Sequence, residues 1–341
     1  MPAETILVPQ DYTLEPVLAF AAAIHQTPPA DEYIVDFQTP RYLTPFGMLY
    51  ASHAIHSFID AHPTAKFTPI NYENHYAGHM GFFQACGFDV GKAPGEAAGS
   101  DRYLPITILP VAELQAEARS QMIGEGKVIE ARSQELAKVL THQSTGALVD
   151  MLTYSLREMI RNVVEHSQSP FVAYCAQYQP HKKQAEIGIL DVGVGIRSSL
   201  SKNPHLTLES DRDALNLALM PGISGKMFKG VVRNAYDYDP WQNSGYGLYA
   251  VSRLCGLGGK FLIGSGDSAL SLKPEEKKYH PIQHQGVLLR LNLCSKDIKT
   301  LNTVLAQIMR EGDARAKELT GLDHIEASTA SRMLSSKFMR K

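Results

Sequence analysis

The chain has 341 residues, 44% of them apolar and 20% charged, and its acidic and basic residues nearly cancel to a formal charge of −2. That length suits two domains, and that composition a packed globular protein. The charge balance speaks against a nucleic-acid glove or a basic membrane-binding surface, and no apolar run approaches the ~20 residues a membrane span needs.

The N-terminus, MPAETILVPQDY, has no basic leader followed by an apolar stretch, so a cytoplasmic protein is expected. Residues 4–9 and 33–37 read as short strands, with a helix from Leu14 to His25 between them. After a Pro-bracketed loop, Gln38 to Gly47, a helix is expected from Met48 to Ala61 and a third strand from Lys66 to Asn71. This alternation predicts a small α/β unit over residues 1–90. GKAPGEAAGSD (91–101) reads as a linker, followed by a strand at Leu104–Leu109 and helices at Val111–Ile123 and Lys127–Thr141. Residues 91–142 are therefore expected as linker and helices.

From Thr145 to His166 the apolar residues Leu148, Leu152, Leu156, Met159, Ile160 and Val163 recur in steps of three and four. At ~100° per residue they form one stripe, with Glu158, Asn162 and Glu165 grouped at its rim. Strands 171–179 and 185–193 read as a hairpin. Residues 194–243 read as irregular around a helix at Asp211–Met220, followed by a helix from Gly245 to Gly256 and strands at 260–265 and 286–293. Residues 297–341 are expected to start as a helix and end in a basic, Ser-rich tail. Cys86, Cys175, Cys255 and Cys294 form no CxxC pair, and reduced, mostly buried thiols are expected. The pairs His53/His56 and His75/His79 have spacings that can share a helix face, but neither holds a carboxylate or thiol, so packing or surface roles are expected.

Four features follow in order: Glu158-x-x-x-Asn162 on a helix, Asp191-x-Gly193-x-Gly195 after a strand, the loop PGISGKMFKG (221–230), and Gly245-x-Gly247-Leu248 opening a helix. Each has a use at a nucleotide. An Asn oxygen suits Mg²⁺, which is a hard cation. A carboxylate one turn away can activate a water. Glycines permit close backbone approach, and a helix start favours phosphate.

In that order the features resemble the boxes of the GHKL ATPases, which include histidine kinases, gyrase-type topoisomerases and anti-sigma-factor kinases. The resemblance runs from Gln143 to Leu293 and implies a Bergerat two-layer α/β sandwich over residues 143–296. It implies Mg²⁺-dependent ATP binding and hydrolysis. Asn162 would hold Mg²⁺, Glu158 would be the catalytic acid–base group, and Asp191 would read the adenine amino group. Gly193, Gly195, Gly245, Gly247 and Leu248 would shape the site, and Lys226 or Lys229 would reach the phosphates. His166 could approach the phosphates or cap its helix, the latter being preferred.

The segment YIVDFQTPRYLTPFGMLYASHAIHSFID resembles the core of STAS-like domains, with FTPINYENHYAGHMGFFQACGF fitting the end of that fold. Phe46 stands where that family has its phosphoacceptor Ser, with only Thr44 nearby, which implies a built-in regulatory or docking module. The helices at 111–141 contain no His, and His142 is followed by Gln143, which argues against a histidine kinase. Two functions are expected: a nucleotide-controlled ATPase switch in a bacterial signalling or defence system, or an anti-sigma-like partner-switching protein with possible Ser/Thr kinase activity. A protein partner and a homodimer are both compatible with the sequence.

Overall fold

In the computed structural model, which describes residues 3–100, 102–226, 245–294, 296 and 301–320, two sheets organise the chain. The first is parallel, in the order β1 (Glu4–Leu7), β2 (Glu32–Asp36), β3 (Lys66–Ile70). Its connections are α1 (Leu14–Ile24) and α2 (Pro45–Ala61), followed after β3 by the short helices α3 (His75–His79) and α4 (Phe82–Ala85). α2 starts three residues before the expected Met48. The Thr44 hydroxyl caps it by accepting from Gly47 N at 3.0 Å, and Pro45 supplies a ready-made first turn.

The second sheet is antiparallel and contains β4 (Tyr103–Pro110), β5 (Phe171–Gln179), β6 (Gln184–Leu190), β7 (Lys260–Lys273) and β8 (Glu276–Cys294), ordered β4-β5-β6-β8-β7. One face carries α5 (Val111–Gln121), α6 (Glu125–Thr141), α7 (Ala147–Asn162), α8 (Gly195–Leu200), α9 (Asp211–Ala218), α10 (Gly247–Gly256) and α11 (Leu301–Thr320) around a single core. The molecule is thus mixed α/β. The stretch read as linker and helices contributes β4, paired with β5 from Tyr103↔Gln177, and two helices to this unit. No described helix is long and apolar enough to cross a membrane.

α1 and α2 lie between the two sheets. Their residues Val17, Leu18, Phe46 and Leu49 share one core with Val35 of the parallel sheet and with Cys175, Leu190 and Leu288 of the antiparallel one. The seat for α2 is cut by a missing side chain: a Cβ on Gly188 would lie 2.8 Å from the Phe46 Cα. The opposite face of the parallel sheet leaves Leu7 and Ile70 exposed.

Two expectations change. β7 and β8 form one long hairpin rather than two short strands, with irregular register near Gly266. The polar groups of α7 do not all sit at a rim: every residue from Leu148 to Arg161 except Asp150 is buried, because the sheet, α6, α10 and α11 enclose this helix.

Candidate functional site

α7 ends at Asn162 and continues as one π-type turn, Val163–Ser167, a rare irregularity often found at functional sites. The Ser167 hydroxyl donates to the Val163 carbonyl at 2.9 Å and so serves the helix end. His166, for which a capping role is expected, lines a cleft. The cleft encloses about 100 Å³ and opens to solvent. Met159, Val163, Ile189 and Leu289 give it an apolar floor. Asn162, Asp191, Gly195, Gly245, Gly247 and Leu248 line it too. Four separated segments of chain therefore meet there.

Asp191 follows β6 and is 2% exposed. Its Oδ1 accepts from Gly193 N at 2.8 Å. Burial pushes its carboxyl up to about 6, partly opposed by hydrogen bonds from the Gly193 and Val287 backbone. At neutral pH it is a carboxylate with acceptor capacity aimed into a largely apolar cleft. Gly193 packs under the π-turn, where a Cβ would lie 1.9 Å from the Ser167 carbonyl oxygen. Gly195 (φ +76°) and Gly245 (φ +74°) adopt left-handed backbone that favours glycine.

The cleft also meets the start of α10, which has no side-chain cap. Such a helix start presents N–H donors and a positive dipole end. Cations gather nearby. Lys226 Nζ donates to the Glu165 carbonyl. Burial drives His166 down to about 3, and Lys226, Arg161 and Lys202 push it further in that direction. His166 is therefore neutral at physiological pH. Lys229 lies outside the described residues.

Glu158 is not at the cleft surface. It is 0% exposed, and its Oε1 accepts from Arg157 at 3.0 Å and lies 3.5 Å from Arg161 Nη1. Arg161 Nε pairs in turn with Glu165 Oε1 at 3.1 Å. The other Glu158 oxygen sits beneath Gly247, where a Cβ would lie 2.5 Å away. Two buried cations and two carboxylates thus form a chain along α7 that supports the α10 turn from below.

Sequence reasoning missed Ser167, Lys202 and His284. His284 is buried on β8, with Nε2 3.0 Å from the Asp191 carbonyl oxygen. Ser167 had a usable signal in its position directly after the helix bearing Asn162; the other two had none. The histidine pairs serve separate contacts: His53 packs on His284, His56 pairs with Asp60, and His79 bonds the Tyr103 hydroxyl. The four cysteines are free, and three are buried. Neither the protein-family models nor the curated proteins include a match to this chain.

Proposed function

We propose that the cleft binds Mg²⁺–ATP and that the chain is a nucleotide-controlled switch of the GHKL type. The observation that supports this most is the meeting of Asn162, Asp191, Gly195, Gly245 and Gly247 around one cleft. On this reading the antiparallel sheet with its helices is a Bergerat sandwich, and residues 1–90 are a STAS-like unit.

The residues present fit the ligands. Asp191 is a buried acceptor for an exocyclic amine. The uncapped start of α10 and the cations around His166 suit a polyphosphate. Asn162 offers one oxygen to Mg²⁺, which usually completes its shell with phosphate oxygens and water. Bound there, Mg²⁺ would offset the triphosphate charge.

Glu158 is the residue for proton abstraction on this reading. Its Oε1 is engaged by Arg157 and Arg161, and its Oε2 is buried beside Gly247 without a hydrogen-bond partner among the described residues, so hydrolysis requires this cluster to open and should be slow. The ATP-bound state would then be long-lived, as a switch requires.

A second reading, partner switching with a kinase step, draws on the N-terminal unit. Thr44 is 4% exposed and donates to the Tyr12 carbonyl at 2.7 Å, so the chain's own unit offers no free acceptor hydroxyl there. The bare face of its parallel sheet also favours a protein partner, because such sheets are usually covered on both faces.

Calorimetry with Mg²⁺–ATP, together with phosphate release, tests both. Wild type should bind and Asn162→Ala should not; equal binding by the two removes the site assignment. Slow phosphate release by the chain alone supports the switch, whereas transfer only after a partner is added supports the second reading.

A further inference from the structure

The backbone around Asp191 is held by β8 at three points. Asp191 N donates to the Val287 carbonyl at 3.0 Å. The Asp191 carbonyl accepts from His284 Nε2 at 3.0 Å. Gly286 presses against the same carbonyl, where a Cβ would lie 2.1 Å from the oxygen. His284 sits in the irregular part of the β7–β8 ladder, opposite Gly266. Such an irregularity re-aims a side chain that a regular strand would direct elsewhere.

The other side of the His284 ring belongs to the N-terminal unit. Its ring stands edge-on to His53 of α2, with centroids 5.1 Å apart at 77°, and to Tyr50, at 5.8 Å and 78°. Burial lowers both histidines, His53 to about 4 and His284 to about 3, so both rings are neutral at physiological pH. A carbonyl only accepts, so Nε2 of His284 carries the proton. One buried side chain thus touches the N-terminal unit with its ring and the Asp191 peptide with its N–H.

We propose that His284 is a positioning residue for the nucleotide site, and that His53 and His284 form the joint through which the N-terminal unit sets nucleotide affinity. The inference rests on the proposed nucleotide reading of the Asp191 cleft. A shift of α2 moves His53 against the His284 ring. The ring then carries the Asp191 peptide, and with it the carboxylate in the cleft. Anything that binds the N-terminal unit and displaces α2 changes ATP affinity, and by linkage ATP changes binding at that unit by the same factor.

The test uses the full chain and two measurements. Titration with a fluorescent ATP analogue and Mg²⁺ should show about 10-fold weaker binding for His284→Leu and about 3-fold weaker binding for His53→Leu. The His53→Leu effect should vanish in the His284→Leu background, because the contact it acts through is already gone. His284→Gln, which keeps an N–H donor, should recover most of the affinity. Hydrogen exchange without nucleotide should show faster exchange confined to the 192–196 amides in both Leu variants. Wild-type affinity in His284→Leu, or independent effects of the two substitutions, overturns the joint. So does exchange that rises evenly over the whole chain, which marks His284 as packing only. If wild type binds no nucleotide, the proposed function fails, and the local exchange pattern still decides whether the joint exists.

Discussion

The antiparallel sheet has two faces that solve opposite problems. The face toward α7 and α10 encloses charge: Arg157, Glu158 and Arg161 are at most 1% exposed, and Asp191 is 2% exposed. The face toward α1 and α2 is apolar where the helices seat. Ala173, Cys175, Leu190 and Leu288 meet Phe46 and Leu49 there, and Gly188 lets the helix backbone touch the sheet. Buried charge weakens a fold unless it is paired, whereas close apolar packing strengthens it. On the proposed reading the faces divide labour, with nucleotide binding on one side and a firm base for the second unit on the other.

Four changes would break or sharpen that contrast. The largest effect is expected on the charged face. Glu158→Ala leaves two buried arginines without their shared carboxylate and should cost about 3–5 kcal/mol. Denaturant unfolding measures it, and a loss below 1 kcal/mol would mean that water reaches the cluster.

Asp191→Asn should weaken ATP by on the order of 100-fold, equivalent to about 2.7 kcal/mol, because an amide cannot offer the same acceptor pattern. The same change should stabilise the empty protein at neutral pH. The Asp191 carboxyl is raised in the fold from 3.8 to about 6, so the folded state holds this proton more tightly than the unfolded chain. Its contribution therefore falls as pH rises through that window, by on the order of 2–3 kcal/mol, and the Asn variant should lack the decline. Thermal melts of both proteins between pH 4 and 7 settle the point.

On the apolar face, Gly188→Ala places a Cβ against the Phe46 backbone and should cost about 1–3 kcal/mol while leaving the cleft intact. A variant that melts like wild type would show that the two layers are not firmly seated. The smallest effect is on pH. ATP affinity of the wild type should be flat above about pH 6 and weaken below it, approaching tenfold per pH unit, as Asp191 becomes protonated. An isotherm series that stays flat down to pH 5 would remove Asp191 from the recognition step.

Local order was easy to read in the sequence, and enclosure was not. The three-and-four spacing from Leu148 to Val163 announces α7, and Asp191-x-Gly-x-Gly after an apolar strand announces a turn at a strand end. The spacing says nothing of α10 and α11 closing over the far side, so Glu158 reads as a rim residue and is in fact buried. β4 pairs with a strand some seventy positions on, Tyr103↔Gln177, and no local pattern carries such a partner. The outer half of the β7–β8 hairpin is obscured by exposed lysines and by Ser268 and Ser271, which are polar yet buried. His284 lies in a polar stretch, HPIQHQG, and only the irregular ladder reveals which neighbours it meets.

The seating of α1 and α2 between the two sheets has a consequence for synthesis on the ribosome. The helices are made early, yet Leu288, which completes their cover, follows Phe46 by 242 positions (288 − 46). At the usual pace of translation, about 5–20 residues per second, the apolar side of the nascent N-terminal unit waits on the order of 10–50 s for the last of its cover. During that interval it is a natural client for a holding chaperone, and a truncated chain ending before β8 would leave it without the part of its cover that β8 supplies.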